Sequence, residues 1–273
     1  MRTRALHVSD LHVRDDDTSA QREALEALTA LVEPELVIVT GDLSHRGRAP
    51  QLQAAKALLE GLGRPVLAVP GNHDLPHSLP ARFTHPSARF AAVFGAVNPV
   101  YRSETLTVCG LDSTRPWRHQ GGALPATRLA RAAEVLTTSP QDALRVVALH
   151  HHLAAPPWRT SRKFPLRHRD RALASLADSG AELVVGGHVH QCSVTTRSEF
   201  QVLLPGEPSP VLVTAPGLHR PRPHRPGEAQ GAVVYEWDDE TLVVTSYVGS
   251  GVRFDTVGRR EFPRERLSRR TIR

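Results

Sequence analysis

The sequence has few cysteines and no long apolar run. Its two cysteines, Cys109 and Cys192, are too few for a disulfide framework. No segment approaches the roughly 20 consecutive apolar residues of a membrane-spanning helix. The apolar stretch that follows Met1-Arg2-Thr3-Arg4 is too short for a signal peptide. These absences predict a cytoplasmic protein.

Aromatic residues and lysines are also scarce. Aromatics make up 5% of the 273 residues, which gives little support to nucleic-acid recognition by base stacking. Of the 34 basic residues only Lys56 and Lys163 are lysines, and the formal net charge is +6 at pH 7. The residues from Arg253 to Arg273 are especially basic. Such a chain can attract nucleic acid or anionic substrates through its overall field, although a solvated basic tail is the simpler interpretation.

Five short apolar runs are each followed by residues with metal-binding side chains. The runs are rich in β-branched residues and leucine, which is typical of strands buried on both faces of a sheet. They are Ala5–Val8, Leu36–Val39, Val66–Val69, Val146–Leu149 and Leu183–Val185. The segments after them are Asp10-Leu11-His12, Gly41-Asp42, Gly71-Asn72-His73-Asp74, His150-His151-His152 and Gly187-His188-Val189-His190. Because functional groups gather beyond the carboxyl ends of strands in open α/β sheets, we expect these segments to share one site.

Stretches with helical spacing separate the runs. They lie at about residues 19–33, 50–62, 127–136 and 169–176, and this alternation predicts a layered α/β domain. From about residue 194 the pattern changes to short strand-like segments without helices, which we expect to form antiparallel strands that complete a second sheet. No Gly/Ser-rich linker, repeat or low-complexity tract divides the chain. Because Asp10 and His190 would share one site, we expect a single domain over residues 1–252 and a basic C-terminal tail over residues 253–273.

The order and spacing of these motifs resemble the calcineurin-like metallophosphoesterase superfamily. The resemblance implies an α/β fold with two mixed β-sheets flanked by helices, and a site for two metal ions. It assigns one metal to Asp10, His12, Asp42 and His190, and the other to Asp42, Asn72, His150 and His188. A carboxylate such as Asp42 can bridge two metals, whereas a neutral imidazole cannot. The mixed nitrogen and oxygen ligands suit Mn, Fe or Zn better than Ca²⁺.

Two metal ions in such a site would supply the chemistry of phosphoester hydrolysis. Held about 3.5–4 Å apart, they bind phosphate oxygens and a bridging water whose pKa they lower towards neutrality. The resemblance places His73 near the leaving-group oxygen, where it can donate a proton. It makes Asp74 the carboxylate that fixes the orientation and tautomer of the His73 imidazole.

Several histidines and one cysteine near the motifs leave alternatives open. Within the triple histidine we expect His150 to be the ligand because it directly ends the strand, with His151 as the alternative. Cys192 follows His190 by two residues and could be a soft metal ligand, but a small buried residue is the simpler interpretation. His45 and His77 lie in loops near the motifs, where they are structural residues or substrate contacts.

A narrower resemblance concerns the substrate. Leu111-Asp112-Ser113-Thr114 and the following His119-Gln120-Gly121-Gly122 are similar to segments of the cyclic-nucleotide phosphodiesterase and glycerophosphodiesterase branch. There a histidine of the second segment lies near the substrate, and His119 is its candidate counterpart. The next helix lacks the aromatic residue usual in that branch. Arg220 and Arg222 could clamp a phosphate, or they could belong to a solvated Pro-rich loop.

These observations favour a metal-dependent hydrolase of small-molecule phosphodiesters, of cyclic nucleotide or glycerophosphodiester type, that attacks with a metal-bridging hydroxide. A nuclease and a phosphomonoesterase are alternatives on the same site. A non-catalytic binding module is a third alternative, which missing ligands would favour, but the sequence contains the full set.

Overall fold

The structure is a computed structural model that describes residues 2–154, 164–219, 228 and 230–264. Within these residues the chain forms two six-stranded sheets and six α-helices. The helices are α1 (Ser19–Val32), α2 (Ala49–Glu60), α3 (Ala81–Thr84), α4 (Ala88–Phe94), α5 (Ala126–Thr137) and α6 (Arg169–Asp178). None of the described helices is long and apolar enough to cross a membrane.

The first sheet joins strands from the two ends of the described chain. In spatial order it contains β12 (Arg253–Pro263), β11 (Thr241–Ser250), β10 (Gln230–Trp237), β1 (Thr3–Val8), β2 (Leu36–Thr40) and β3 (Val66–Val69). Strands β1, β2 and β3 are parallel, whereas β10 runs antiparallel to β1. The carboxyl ends of three motif-bearing strands therefore lie at one edge of this sheet.

The second sheet contains the other two motif-bearing strands. Its spatial order is β4 (Val100–Arg102), β5 (Leu106–Leu111), β6 (Leu144–Leu149), β7 (Leu183–Gly186), β9 (Val211–Thr214) and β8 (Ser193–Thr196). Strands β5, β6, β7 and β9 are parallel, and the two edge strands β4 and β8 are antiparallel to their neighbours.

The two sheets pack against each other, and helices cover their outer faces. The alternation of side chains along a strand makes this possible. In β2, Leu36 and Ile38 enter the core between the sheets, while Val37 and Val39 pack with apolar residues of α1 and α2. The second sheet is covered on its other face by α5 and α6. Every motif-bearing strand is thus buried on both faces, as its continuous apolar run predicts.

The predicted fold class, a layered α/β fold with two mixed sheets flanked by helices, is confirmed. The C-terminal strands are divided between the two sheets, whereas the sequence predicted that they complete the second sheet. β10, β11 and β12 extend the first sheet, because β10 pairs with the edge of β1 that β2 leaves open. In the second sheet the late strands are β8 and β9, and β9 is parallel to β7.

Residues 253–263 are not a tail, which corrects the predicted boundary at residue 252. They form β12, which pairs with β11 over its whole length and buries Phe262. Arg264 follows directly and forms an ion pair with the buried Glu182, with an Nε to Oε1 distance of 2.9 Å. β12 is the edge strand of the first sheet, and most of its residues are exposed. Residues 265–273 lie outside the described part of the chain.

Candidate metal centre

The loops after β1, β2, β6 and β7 are joined by backbone hydrogen bonds. The amide of Asp10 donates to the carbonyl of Gly41, and that of His12 donates to the carbonyl of Asp42. Across the two sheets, the amide of His188 donates to Oδ2 of Asp10 at 2.9 Å. The polar residues that follow distant strands therefore converge on one buried position.

The backbone is strained at most of the expected ligands. Among the described residues, seven that are not glycine have a positive φ, and five of these seven are expected ligands. They are Asp10, His12, Asp42, His188 and His190, with φ between 45° and 73°. Left-handed conformations are unfavourable for residues with a Cβ and concentrate at functional sites, where the surrounding structure enforces them.

Two glycines allow the loops to approach closely. A Cβ on Gly187 would lie 1.8 Å from Oγ of Ser9 and 2.7 Å from Oδ2 of Asp10. A Cβ on Gly71 would lie 2.2 Å from Oδ1 of Asp42. Both contacts involve the carboxylates of the site or their immediate neighbour, so a larger residue at either glycine would displace them.

One group of possible ligands contains Asp10, His12, Asp42 and His190, whose ligand atoms all lie within 4.8 Å of one another. Nε2 of His190 is 2.9 Å from Oδ1 of Asp10 and 3.4 Å from Nε2 of His12. Nε2 of His12 is 3.8 Å from Oδ2 of Asp42. All four residues are buried.

A second group contains Asp42, His150 and His188. Nε2 of His150 lies 3.4 Å from Oδ2 of Asp42 and 3.2 Å from Nδ1 of His188. Oδ1 of Asn72 is 3.1 Å from the same nitrogen of His150, which adds an amide oxygen to the group. Asp42 belongs to both groups.

Hydrogen bonds outside the site orient these imidazoles. Nδ1 of His150 donates to the carbonyl of Thr40 at 2.7 Å, and Nε2 of His188 lies 3.2 Å from the carbonyl of Gln120. With the opposite ring nitrogens held in this way, Nε2 of His150 and Nδ1 of His188 face each other within the second group. Such outer contacts are usual for metal-binding histidines.

Opposite charges lie close together in this buried space. Burial alone would raise the pKa of Asp42, but the nearby imidazoles of His150 and His73 hold it well below its ordinary value. Burial alone would lower the pKa of His150, but the Asp42 carboxylate raises it to about 9. Burial lowers the pKa of His12 well below its ordinary value, which keeps this imidazole neutral. The carboxylates are therefore ionised and stabilised by neighbouring positive charge.

The residues present fit divalent metal ions. Oδ2 of Asp42 is buried and accepts no hydrogen bond from any described residue. Imidazole nitrogens of His12 and His150 lie 3.8 and 3.4 Å from this oxygen, and the Asn72 amide oxygen lies 3.1 Å from the same nitrogen of His150. A buried carboxylate oxygen without a hydrogen bond is costly unless a cation neutralises it. Carboxylate, amide oxygen and imidazole are ligand types that divalent metal ions accept in proteins.

His73 lies beside the first group, with its ring centroid 4.7 Å from that of His12. Nδ1 of His73 donates to the carbonyl of His45 at 2.9 Å. The expectation that Asp74 orients this ring is corrected, because the Asp74 carboxylate accepts hydrogen bonds from the amides of Leu43, Ser44 and Gly71 and from Oγ of Ser44. Asp74 thus joins the loops after β2 and β3. Burial and the charge of Asp42 raise the pKa of Asp74 to about 6.

The structure also shows the positions of residues whose roles the sequence left open. His151 belongs to neither ligand group; its ring packs 4.7 Å from that of His188, and its Nδ1 is 2.8 Å from Oγ of Ser113. Cys192 donates to Oγ of Ser246 and packs on the core between the sheets. His119 is exposed, with its ring centroid 5.5 Å from that of His73. Arg220 and Arg222 lie outside the described residues.

Two residues that the sequence analysis did not select also reach the site. Nδ1 of His219 is 3.1 Å from the carbonyl of Asp10, and its ring centroid lies 4.5 Å from that of His190. Oε1 of Glu228 is buried and lies 3.5 Å from Nδ1 of His190, where it orients that ring. His219 follows a strand of the second sheet, so the strand-end rule would have found it. Glu228 carries no comparable signal.

Comparison with known proteins identifies the family. Residues 3–192 match the model of the calcineurin-like phosphoesterase family. A probable cyclic nucleotide phosphodiesterase from Rhodopseudomonas palustris is 30% identical over 184 residues, which cover 62% of this chain and 63% of that relative. A cAMP/cGMP dual specificity phosphodiesterase from Mycobacterium tuberculosis is 27% identical over 209 residues, covering 70% of this chain and 63% of that protein. A probable glycerophosphodiester phosphodiesterase from Arcobacter nitrofigilis is 27% identical over 187 residues, 65% of this chain and 64% of that protein.

Solved structures show the same fold at much lower identity. The purple acid phosphatase PPD1 from yellow lupin seeds superposes with a TM-score of 0.69 at 12% identity, covering 97% of this chain and 54% of that chain. The structure of PhoD superposes with a TM-score of 0.66 at 12% identity, covering 98% of this chain and 72% of that chain. The motif order, the layered fold and the family match agree: the chain belongs to the calcineurin-like phosphoesterase family, whose members are metal-dependent hydrolases.

Proposed function

We propose that this protein is a dinuclear-metal-dependent phosphodiesterase that hydrolyses small-molecule phosphodiesters of cyclic nucleotide or glycerophosphodiester type. The observation that carries the proposal is the position of Asp42 Oδ2, between His12 of one ligand group and His150 of the other. A carboxylate oxygen in this position supports a pair of metals that share one ligand.

The residues that would hold the metals follow from the two groups. Asp10, His12, Asp42 and His190 would hold one ion, and Asp42, Asn72, His150 and His188 the other, with Mn, Fe or Zn as the expected metals. When bound, such a pair supplies positive charge for the phosphate oxygens and a water acidic enough to act as a nucleophile near neutral pH. The protein fixes the ligands before any metal arrives, through its strained backbone and the carbonyls of Thr40 and Gln120.

His73 would protonate the leaving group. Because its Nδ1–H is held by the carbonyl of His45, Nε2 is the nitrogen left for substrate. In the imidazolium form Nε2 donates a proton to the departing oxygen as its bond to phosphorus breaks and a bond from the water oxygen to phosphorus forms. One water proton would return to His73 by way of solvent and restore its imidazolium form, and the other would stay on the phosphate product or pass to solvent. A linear diester gives an alcohol and a phosphomonoester, whereas a cyclic diester gives one molecule that carries both groups. His119 lies at the exposed side of His73, where it would contact the substrate.

The choice of a small diester is supported by the relatives. Curated proteins that match this chain are named cyclic nucleotide phosphodiesterases and glycerophosphodiester phosphodiesterases. The space beside His73 is bounded by loops and helix α4 rather than by an added domain in the described part of the chain, which suits a small substrate.

The first test compares a diester with a monoester. After removal of bound metal, hydrolysis of bis-p-nitrophenyl phosphate and p-nitrophenyl phosphate is measured with added Mn²⁺, in the wild type and in Asp42→Asn. The matched control is Asp255→Asn, an exposed carboxylate on β12. Preference for the diester that disappears in Asp42→Asn supports the proposal and is followed by cyclic nucleotides and glycerophosphodiesters.

Other outcomes favour the alternative functions. Preference for the monoester would indicate a phosphomonoesterase. Salt-sensitive cleavage of DNA or RNA in preference to small diesters would indicate a nuclease. Absence of hydrolysis with Mn²⁺, Fe²⁺ and Zn²⁺ would favour a non-catalytic binding module.

A further inference from the structure

A basic cavity of about 480 Å³ lies beside His73. The loops after β2 and β3 and helix α4 form its walls. Its lining residues are His45, Arg46, Arg48, His73, His77, Ser78 and Arg89. None of these described lining residues is acidic, and none is Phe, Tyr or Trp. The volume is in the range of small-molecule pockets, roughly 300–1,000 Å³, but the lining is that of an anion site.

Backbone contacts hold the walls in place. Nη1 of Arg89 donates to the carbonyl of Gly47 at 3.0 Å, which joins α4 to the loop after β2. Gly47 has a φ of 59°, and a Cβ there would lie 2.3 Å from the carbonyl oxygen of Leu75. The amide of Gly47 donates to Oγ of Ser44. The backbone that carries Arg46 and Arg48 is therefore held by contacts of Gly47, and through Ser44 it is linked to Asp74.

Positive charge in the cavity exceeds the negative charge that faces it. Arg48 pairs with Asp15 outside the lining, at 2.9 Å. The Arg46 guanidinium makes no hydrogen bond or ion pair with any described residue, although its backbone amide donates to Gln51. Burial, and then the neighbouring His119, His73, Arg82 and Arg46, lower the pKa of His77 to about 4, which is consistent with a positive local field.

We propose that this cavity is a subsite for a second phosphate group, carried on the alcohol arm that leaves from the His73 side of the diester. Three guanidinium groups suit a phosphomonoester, which carries about −1.5 to −2 charge at pH 7, and arginine matches its oxygens with paired N–H donors. The described lining contains no Phe, Tyr or Trp, so we take contacts with charged groups rather than base stacking as the dominant recognition. The arm is therefore a small phosphorylated alcohol.

This inference rests on the proposed function, because it specifies the substrate of the same site. The test uses two diesters that differ only by a terminal phosphate: glycerophosphoglycerol and its terminally phosphorylated form. Both are added as competitors of bis-p-nitrophenyl phosphate with Mn²⁺ at low salt, so that an inhibition constant is obtained whether or not each is hydrolysed. The quantity measured is the ratio of the two inhibition constants.

We expect the wild type to bind the phosphorylated competitor at least about tenfold more tightly, the effect of one charge-assisted contact. Arg46→Ala should bring the ratio close to one. Arg46 is exposed, so this substitution leaves the core intact. The control Arg253→Ala removes an exposed arginine of β12 and should leave the ratio at its wild-type value.

The possible outcomes distinguish failure of the subsite proposal from failure of the proposed function. A wild-type ratio near one, with bis-p-nitrophenyl phosphate still hydrolysed, overturns the subsite and leaves the proposed function standing. A high ratio that persists in both Arg46→Ala and the double variant Arg46→Ala/Arg48→Ala also overturns it, because the added phosphate would then be binding the metal centre. Failure to hydrolyse bis-p-nitrophenyl phosphate with any metal overturns the proposed function and this inference with it.

Discussion

Oδ2 of Asp42 lies 3.4 Å from Nε2 of His150, in a space from which solvent is excluded. The same oxygen is 3.8 Å from Nε2 of His12, in the other ligand group. One carboxylate oxygen thus connects residues that follow β1 and β6, strands of different sheets. This relationship explains why a single substitution should affect both metal positions.

Asp42→Asn should remove the shared ligand and lower both metal content and hydrolysis. We expect metal per chain, measured by plasma mass spectrometry after dialysis, to fall from two ions to one or fewer. Activity on bis-p-nitrophenyl phosphate should fall by about 100-fold or more, since even changes around the ligands of a metal site cost about 10–100-fold. Asp255→Asn is the control, and full metal content in Asp42→Asn would contradict the bridging role.

His73→Ala should impair substrates according to their leaving group. An alkoxide needs a proton as it departs, so hydrolysis of an alkyl phosphodiester should fall by about 10²–10⁴-fold. The p-nitrophenolate of bis-p-nitrophenyl phosphate leaves without a proton, so the hydrolysis rate of that substrate should fall much less. Steady-state kcat for the two substrates measures the difference. Equal losses for both would show that His73 positions the phosphate rather than donating a proton.

Asp74→Ala should reduce stability as well as activity. The Asp74 carboxylate accepts hydrogen bonds from three buried amides and a hydroxyl of the loops after β2 and β3. Their loss leaves buried donors unpaired and should lower the free energy of unfolding by roughly 2–4 kcal/mol. Urea denaturation followed by circular dichroism measures this change. A variant as stable as the wild type would show that the loops are held by other contacts.

His7 should make stability depend on pH. It is buried in β1, with Nδ1 2.7 Å from the Tyr235 hydroxyl and Nε2 2.8 Å from Oγ1 of Thr40, and burial lowers its pKa to about 3. The unfolded chain binds a proton at His7 below about pH 6.5, whereas the folded chain does not until about pH 3. The stabilisation is therefore fully present above about pH 6.5 and is lost as the pH falls through this window.

The comparison of His7→Phe with the wild type isolates this contribution. The variant lacks the titrating group. The difference by which its free energy of unfolding lies below that of the wild type should therefore shrink by roughly 2 kcal/mol between about pH 7 and pH 5. Thermal unfolding of both proteins across this range measures the difference, and other groups cancel. The exposed His85 provides the control His85→Phe. A deficit that does not change with pH would mean that His7 titrates normally.

Gly187→Ala should disrupt the metal centre from the backbone. The added Cβ would lie 1.8 Å from Oγ of Ser9 and would push the loops after β1 and β7 apart. We expect metal content and activity to fall by about tenfold or more, as for other changes around metal ligands. Gly61→Ala, where the Cβ would lie 3.4 Å from its nearest neighbour, is the matched control. Wild-type metal affinity in Gly187→Ala would show that the loops can separate without cost.

The sequence predicted the motif-bearing strands well because each run is buried on both faces and is therefore continuously apolar. Val66–Val69 has the predicted bounds, and α1 begins at the predicted Ser19. The short helices α3 and α4 were not predicted, because four to seven residues give too little periodicity. α4 nevertheless contributes Arg89 to the basic cavity and buries Phe90.

The sequence by itself determined the types of ligand, their order and their places at strand ends, since these are local patterns along the chain. Only the tertiary structure decided which atoms meet. It divided the motif-bearing strands between two sheets. It also placed the His45 carbonyl where it orients the His73 ring, and it brought His219 and Glu228 to the site. Those contacts depend on sheet pairing between residues far apart in sequence, which no local periodicity records.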